Sequence, residues 1–319
     1  MATIKDVAKK ANVSISTASY ALNNKPNVAK ETKERVLKAA RELGYRPNII
    51  ARRLKTNKTG NVGVFIYGFG GPIFSDLLEA IHIELLKEDL NLIVSTGKSS
   101  TKMLQEKLID AAIIFDAFME DDDIIRFAKE RPVITLDRKL VGKNSYSSRV
   151  KNEELVYGFI KEITKKGFKK YAYLSGPKDN LDNIDRYRGY QKALLEVGIE
   201  NISKFEGDYT VEKGYLIGEE IAKLKEKPEF IFCANDEMAV GLIRALKNNK
   251  IYVPHDISVA GFDGIELGLY INPQLSTIKI DYKGWGKKIA KNIIDLLKKT
   301  TKVTITNPEG YFNYKGTIK

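Results

Sequence analysis

The stretch "TIKDVAKKANVSISTASYALN", residues 3–23, reads as two short helices with a break between them. Thr3 followed by Asp6 is a capping-box-like start, and Ile4, Val7, Ala8 and Ala11 make an apolar stripe at helical spacing. Asn12 and Val13 interrupt the stripe. Ser14 is placed to cap a second helix whose apolar face is Ala18, Ala21 and Leu22, while Ser16, Thr17, Ser19 and Tyr20 project elsewhere. A third helix, "KETKERVLKAARELG" (30–44), is expected to bury Val36, Leu37, Ala40 and Leu43 and to stop at Gly44. Three short helices with a tight turn between the first two describe a helix-turn-helix unit.

Charge singles out the same end of the chain. Of the net +12, the first 60 residues supply +10, from 14 Lys/Arg against four Asp/Glu. One end is built to meet a polyanion and the rest is not. The 319 residues, 43% hydrophobic, suffice for two or three domains with ordinary cores. No run reaches the roughly 18 to 20 apolar residues of a membrane helix, and "MATIKDVAKK" lacks the apolar core of a secretory signal, which points to the cytoplasm. Cys233 is the only cysteine and His82 and His255 the only histidines, so neither an intrachain disulfide nor a familiar zinc set is expected.

Beyond the third helix, "RPNIIARRLKTNKTG" (46–60) sets Leu54 among Arg52, Arg53, Lys55 and Lys58. Pro47 suits a first helical turn and Ile50 pairs with Leu54 at i, i+4, yet so short a helix is marginal in water. The opening stretch, followed by "ETKERVLKAARELGYRPNIIARRL" (31–54), resembles the headpiece of the lactose/galactose repressor family. "MATIKDVAKKANVS" is particularly similar to the purine repressors within it, and a weaker likeness extends over the whole chain. The resemblance implies that the second helix lies in the major groove, with Ile15, Ser16 and Tyr20 at base-reading positions. It implies phosphate contacts for Thr17, Ser19, Asn23 and Tyr45. It further implies a hinge helix that folds when two copies meet over the minor groove. There Leu54 would wedge between central base pairs, with Ala51 packed beside it and Lys55 along the groove wall; such wedging unstacks a step and bends the duplex. Tyr20 stands where many relatives carry arginine or histidine, and Ala18 where valine is usual. Ile15 is able to touch a thymine methyl but not to read a guanine edge.

From residue 61 the pattern changes to short apolar runs alternating with amphipathic helices: "VGVFIY", "SDLLEAIHIELLKE", "LNLIVST", "AAIIFD", "PVITLD". After about residue 150 it repeats, through "YAYLSG", "YRGYQKALLEVG", "EEIAKLKEK", "FIFCAND", "MAVGLIRALKNN" and "ISVAGFD". Continuous Val/Ile/Phe runs separated by helices indicate parallel sheets covered on both faces, in two halves. Ligands in such folds bind beyond the carboxyl ends of the strands. Asp137 and Arg138, Asn235 and Asp236, and Asp263 stand there, joined by Arg186 and Tyr209. The expected fold is therefore an N-terminal all-α helix-turn-helix headpiece (1–46), a hinge (47–60) and an α/β core of two doubly wound parallel-sheet lobes (61–319), resembling the periplasmic binding proteins. The N-lobe would hold about 61–150 and 281–302, the C-lobe about 151–280 and 303–319.

By resemblance, Phe74, Asp137, Arg186, Tyr209, Asn235 and Asp263 line an effector cleft. Carboxylates and an arginine fork suit neighbouring hydroxyls, and Phe74 or Tyr209 suits the apolar face of a sugar ring. For each residue alone, a capping or turn role competes with ligand binding. The purine-selective arginine of the purine repressors falls near Asn180, which counts against a purine. The "GFGGP" loop (68–72) lacks the third glycine of a dinucleotide fingerprint and the lysine of a P-loop, and is expected to be a tight turn admitting close backbone approach. "STGKSSTKMLQEKLIDAAII" is shorter than its usual counterpart. No nucleophile elbow, histidine-containing triad or cofactor motif is present, so no enzyme and no cofactor is expected. The reading is a homodimeric repressor of a pseudo-palindromic DNA operator, modulated by a sugar or sugar derivative. The alternatives are control by a phosphorylated carrier protein and, behind it, a cytoplasmic sugar-binding protein or enzyme. The C-terminal "GYFNYKGTIK" shows no heptad extension for tetramers.

Overall fold

The computed structural model describes residues 2–22, 27–45, 58–300 and 303–319. The chain divides into two compact units, Met1–Thr59 and Gly60–Lys319. Asn23, Ala51, Leu54 and Lys55, and with the last three most of the expected hinge, lie outside the described residues.

The small unit contains α1 (Ile4–Lys10), α2 (Ile15–Leu22) and α3 (Lys30–Glu42). Asp6 closes the start of α1 by accepting the Thr3 backbone N–H and hydroxyl, both at 2.8 Å. Asn12, at φ 51°, turns the chain, and Ser14 caps α2 by accepting the Thr17 N–H at 3.1 Å. The last turn of α3 ends on Gly44, at φ 57°, with the Tyr45 N–H reaching back to the Ala40 carbonyl at 2.9 Å. Val7, Ala8, Ala11, Ala18, Ala21, Val36, Ala39 and Ala40 form the core; so many alanines let three helices approach closely. Leu37, expected inside, is 36% exposed, and Ala39 takes its place. The buried stripe of α3 runs through 36, 39, 40 and 43, and Leu37 falls off its edge.

In the larger unit β1 (Asn61–Ile66), α4 (Ile73–Leu86), β2 (Asn91–Ser95), α5 (Lys98–Gln105), β3 (Ala111–Phe115), α6 (Asp121–Ala128), β4 (Val133–Thr135) and β5 (Ser145–Ser147) come first. Their strands form a parallel sheet in the order β2-β1-β3-β4-β5. The short span noted between β2 and β3 holds α5, a single helix of 8 residues.

A second sheet follows from α7 (Asn152–Thr164), β6 (Tyr171–Ser175), α8 (Leu181–Leu195), β7 (Ile202–Glu206), α9 (Val211–Ala222), β8 (Phe230–Cys233), α10 (Asp236–Asn248), β9 (Ser258–Asp263), α11 (Leu267–Tyr270), β10 (Ser276–Ile280), α12 (Tyr282–Leu297) and β11 (Gly310–Asn313). Its order is β11-β10-β9-β8-β6-β7, parallel except for β11. β1, β3, β6, β8 and β9 are buried along their whole length, as their unbroken apolar runs require. The run "EEIAKLKEK" is helical only as far as Ala222.

The chain passes between the sheets after β5, after β10 and after α12, and α12 packs on α4 of the first lobe. At Gly286 an added Cβ would stand 2.6 Å from the Leu77 carbonyl oxygen, so the two helices meet backbone to backbone there. One hydroxyl ties the three passages. Ser148 donates to the Thr306 carbonyl at 2.7 Å and accepts the Trp285 indole N–H at 2.7 Å.

Candidate functional site

On α2, Ala18 and Ala21 face the core, so the opposite side of the helix is left to solvent. Ile15 is 48% and Tyr20 52% exposed, with Ser16 exposed between them; Thr17 and Ser19 are half-buried. Such large side chains stay in water at a cost of about 1.5–3 kcal/mol of unrealised burial each, which a partner surface would recover. The hydroxyls at the helix start are committed locally: Ser14 Oγ lies 2.8 Å from Ser16 Oγ and from Thr17 Oγ1. Tyr45 is half-buried against the small core.

The second group gathers between the two sheets. Arg186, on the second turn of α8, is 5% exposed. Its Nε donates to Asn152 Oδ1 at 2.8 Å, an Nη donates to the Ala234 carbonyl, and the other Nη lies 3.6 Å from Asp263. The guanidinium sits 3.7 Å over the Phe262 ring. Burial works against its charge, but Asp263 and its neighbours raise its pKa and keep it a cation. Asp263 ends β9 at φ 105°, outside the ordinary range for a residue with a Cβ, and also accepts the Tyr282 hydroxyl at 2.7 Å. Tyr209, between β7 and α9, has φ 73°. Its carbonyl accepts the Asn235 amide at 2.9 Å and its hydroxyl donates to Asn180 at 3.1 Å. Two residues held in sparsely populated backbone regions beside one buried arginine mark a place where surrounding structure over-determines geometry.

Asn235 has a double task, since its Oδ1 also caps α10 through the Met238 N–H at 3.1 Å. Asn180 likewise caps α8, accepting the Asn183 N–H at 2.9 Å. Asp236 does not face the cleft: it is 1% exposed and accepts from Thr277 Oγ1 at 2.6 Å, Gly264 N at 2.7 Å and Ile265 N at 2.9 Å. It anchors the loop that carries Asp263. Asp137, just past β4, pairs with Arg138 at 3.0 Å. Its negative charge is felt by Asp182, whose pKa is raised by burial first, against the pull of Arg186 and Arg149. The two aspartates belong to different lobes.

The first lobe contributes aromatics. Phe74 is 2% exposed and packs edge-on to Tyr67 at 5.1 Å and to Phe115 at 5.6 Å, with Trp285 6.1 Å beyond. Tyr67, 49% exposed, is the ring presented. Burial and the charges of Asp263 and Glu237 push its hydroxyl up to about 12, with Arg186 opposing. A first-lobe tyrosine thus senses second-lobe carboxylates. At the "GFGGP" loop, Cβ atoms added at Gly68, Gly70 and Gly71 would meet nothing within 4 Å, and of the three only Gly71 has a positive φ.

Of the six expected cleft residues, Asp137, Tyr209, Asn235 and Asp263 lie at or just past strand ends, Arg186 reaches Asp263 from the second turn of α8, and Phe74 is buried on α4 behind Tyr67. Reasoning from sequence missed Tyr67, Asn152, Asp182, Glu237 and Tyr282. Tyr67 and Glu237 were legible as the first residues past an apolar run and past Asn235–Asp236. Asn152 and Tyr282 had no local signal.

Residues 3–48 match the family described as bacterial regulatory proteins, lacI family, and residues 160–310 match a periplasmic binding protein-like domain. The HTH-type transcriptional repressor PurR of Mannheimia succiniciproducens is 32% identical over 291 residues, covering 87% of this chain and 86% of its own. The chain belongs to the lacI family of bacterial regulatory proteins. Another PurR repressor of this family, from Vibrio atlanticus, is 31% identical over 93% of this chain and 92% of its own. Among solved lacI-family structures, the lac repressor dimer bound to operator and the anti-inducer ONPF aligns with TM-score 0.84 at 25% identity, over 99% of this chain and 98% of that one. A sugar-binding transcriptional regulator from Enterococcus faecalis aligns with TM-score 0.75 at 29% identity, over 82% of this chain and 98% of that one. Membership makes the chain a DNA-binding transcriptional repressor with a helix-turn-helix headpiece and a two-lobed α/β core.

Proposed function

We propose that this repressor binds a pseudo-palindromic operator as a homodimer and that a sugar or sugar derivative in the inter-lobe cleft sets its operator affinity. The observation that carries the reading is the buried Arg186–Asp263 pair, with Asn235 holding the Tyr209 carbonyl and the half-exposed Tyr67 of the first lobe feeling the charge of both members of the pair. Carboxylate and guanidinium suit adjacent hydroxyls, and a tyrosine face suits the apolar side of a pyranose. Asn180, where a purine-binding relative would offer a guanidinium, is engaged as a helix cap and as the acceptor of Tyr209. The base-reading role falls to Ile15, Ser16 and Tyr20, and phosphate contacts to Thr17, Ser19, Asn23 and Tyr45. Ala51, Leu54 and Lys55 serve the minor groove.

Closure of the lobes on a ligand would be felt at the three passages tied through Ser148, and the ligand and operator would bias each other reciprocally, by about 1–3 kcal/mol in ordinary allosteric couplings. The test is a thermal-shift screen of the full chain against a sugar library and, in parallel, hypoxanthine and guanine. A true effector at 100 times its dissociation constant adds about 2.7 kcal/mol of stability. A shift with a sugar that also changes operator affinity is expected. A shift with the purines alone overturns the sugar reading.

A further inference from the structure

We propose that the cleft takes an uncharged polyhydroxylated effector and turns away its phosphorylated form, with Glu237 as the side chain that enforces the choice. The inference rests on the sugar reading above and narrows it to one ligand charge.

A phosphate group needs a free cation or a nest of backbone N–H groups, and the arginines around Asp137, Asp182 and Asp263 are already held by protein partners. Arg186 is fixed by Asn152 at 2.8 Å, by the Ala234 carbonyl and by Asp263 at 3.6 Å, with its flat face covered by Phe262. Arg149 lies 3.1 Å from Asp185 and 3.7 Å from Asp182. Arg138 is drawn to Asp137 at 3.0 Å and away to Asp121 at 2.7 Å and the Met119 carbonyl at 2.8 Å. Freeing any of these for a ligand would leave a buried carboxylate uncompensated, which is costly.

Glu237 is the converse case. It is the second residue of α10, is partly buried, and makes no ion pair among the described residues; its nearest polar contact is the Asn235 amide at 3.4 Å. It stands beside Asn235, whose amide also holds the Tyr209 carbonyl, and its charge reaches Tyr67 on the opposite lobe. Burial, and Asp263 after it, raise its carboxyl to about 7, since water is partly excluded and a second carboxylate is near. No three His, Cys, Asp or Glu among the described residues are placed to hold a metal ion, so the acids do not form a cation cage. A hydroxyl donates to such a carboxylate at no electrostatic cost. A phosphate brings its charge against Glu237 and Asp263 together.

The experiment measures melting temperature and calorimetric affinity of the full chain at pH 7.5 with glucose, ribose, maltose and cellobiose, each beside its monophosphate. At least one neutral sugar should stabilise the protein, and its phosphate should bind at least about tenfold more weakly. In Glu237→Gln that gap should shrink by up to about fourfold, the most a carboxyl titrating at about 7 contributes at pH 7.5, whereas Glu237→Asp, which keeps the charge, should preserve most of it. Equal or tighter binding of a phosphorylated sugar overturns the proposal. So does a gap unchanged in Glu237→Gln when that variant unfolds cooperatively at or above the wild-type melting temperature. Stabilisation by neither form of any sugar overturns the effector reading itself, and this inference with it.

Discussion

Gly176 shows how a single position shapes the cleft. A methyl group there would overlap the ring of Tyr209, whose hydroxyl and carbonyl hold Asn180 and Asn235 in place. Gly176→Ala is expected to destabilise the chain by about 1–3 kcal/mol, read from the urea midpoint, and to weaken effector binding in calorimetry. Glu237 gives a pH signature. Its pKa is raised from the ordinary 4.5 to about 7, so the folded state holds the proton more tightly than the unfolded one. Its contribution is fully present below pH 4.5 and is lost as pH rises through 7. Glu237→Gln should therefore be more stable than wild type at pH 8, by about 1–2 kcal/mol after allowing for solvent screening, and much less so at pH 5, read from thermal unfolding at each pH. A difference independent of pH would refute the assignment. At this scale Asp137, Asn235 and Asp263 were legible as polar residues at strand ends, with Arg186 and Tyr209 added to them by resemblance. Their partners Asn152 and Tyr282 were not, because each is the first residue of its helix, where capping or solvation is the ordinary role, and meets Arg186 or Asp263 only through the fold.

Elements were legible where neighbours in sequence decide them. Caps and periodicity are local, so α1 and α2 follow from Thr3, Asp6, Ser14 and the alanine stripe. Ser14→Ala removes the cap of α2 and should cost about 1 kcal/mol, seen as faster amide exchange across Ile15–Leu22 in the full chain with a parallel loss of operator affinity. Unchanged exchange would show that packing alone holds that helix. The short strands β5 and β7 were not legible, since three to five residues without an unbroken apolar run look like loop until a sheet edge recruits them. Nor does sequence reveal that α12 leaves the second lobe to pack on α4. Gly286 records that contact: Gly286→Leu should drive the Leu77 backbone away and cost about 1–3 kcal/mol or more, measured by thermal unfolding.

For the whole molecule, the concentration of charge in the first 60 residues places nearly all of the polyanion affinity at one end. Leu54→Ala should lower specific operator affinity at least about tenfold while leaving the salt-dependent nonspecific binding of the arginines and lysines around it intact. Equal operator affinity of the two proteins, titrated at one salt concentration, would refute the wedge. By itself the amino-acid order determined the helix-turn-helix, the alternation of strands and helices, and the residues that end the strands, because these depend on interactions a few positions apart. The tertiary structure alone decided that the charges of Glu237 and Asp263 reach Tyr67, that Asp137 feels Asp182 of the other lobe, and that Ser148 joins three distant passages of the chain. Those groups are brought together by burial of the two sheets and their helices, a non-directional force summed over the whole core, so no short window of sequence holds them.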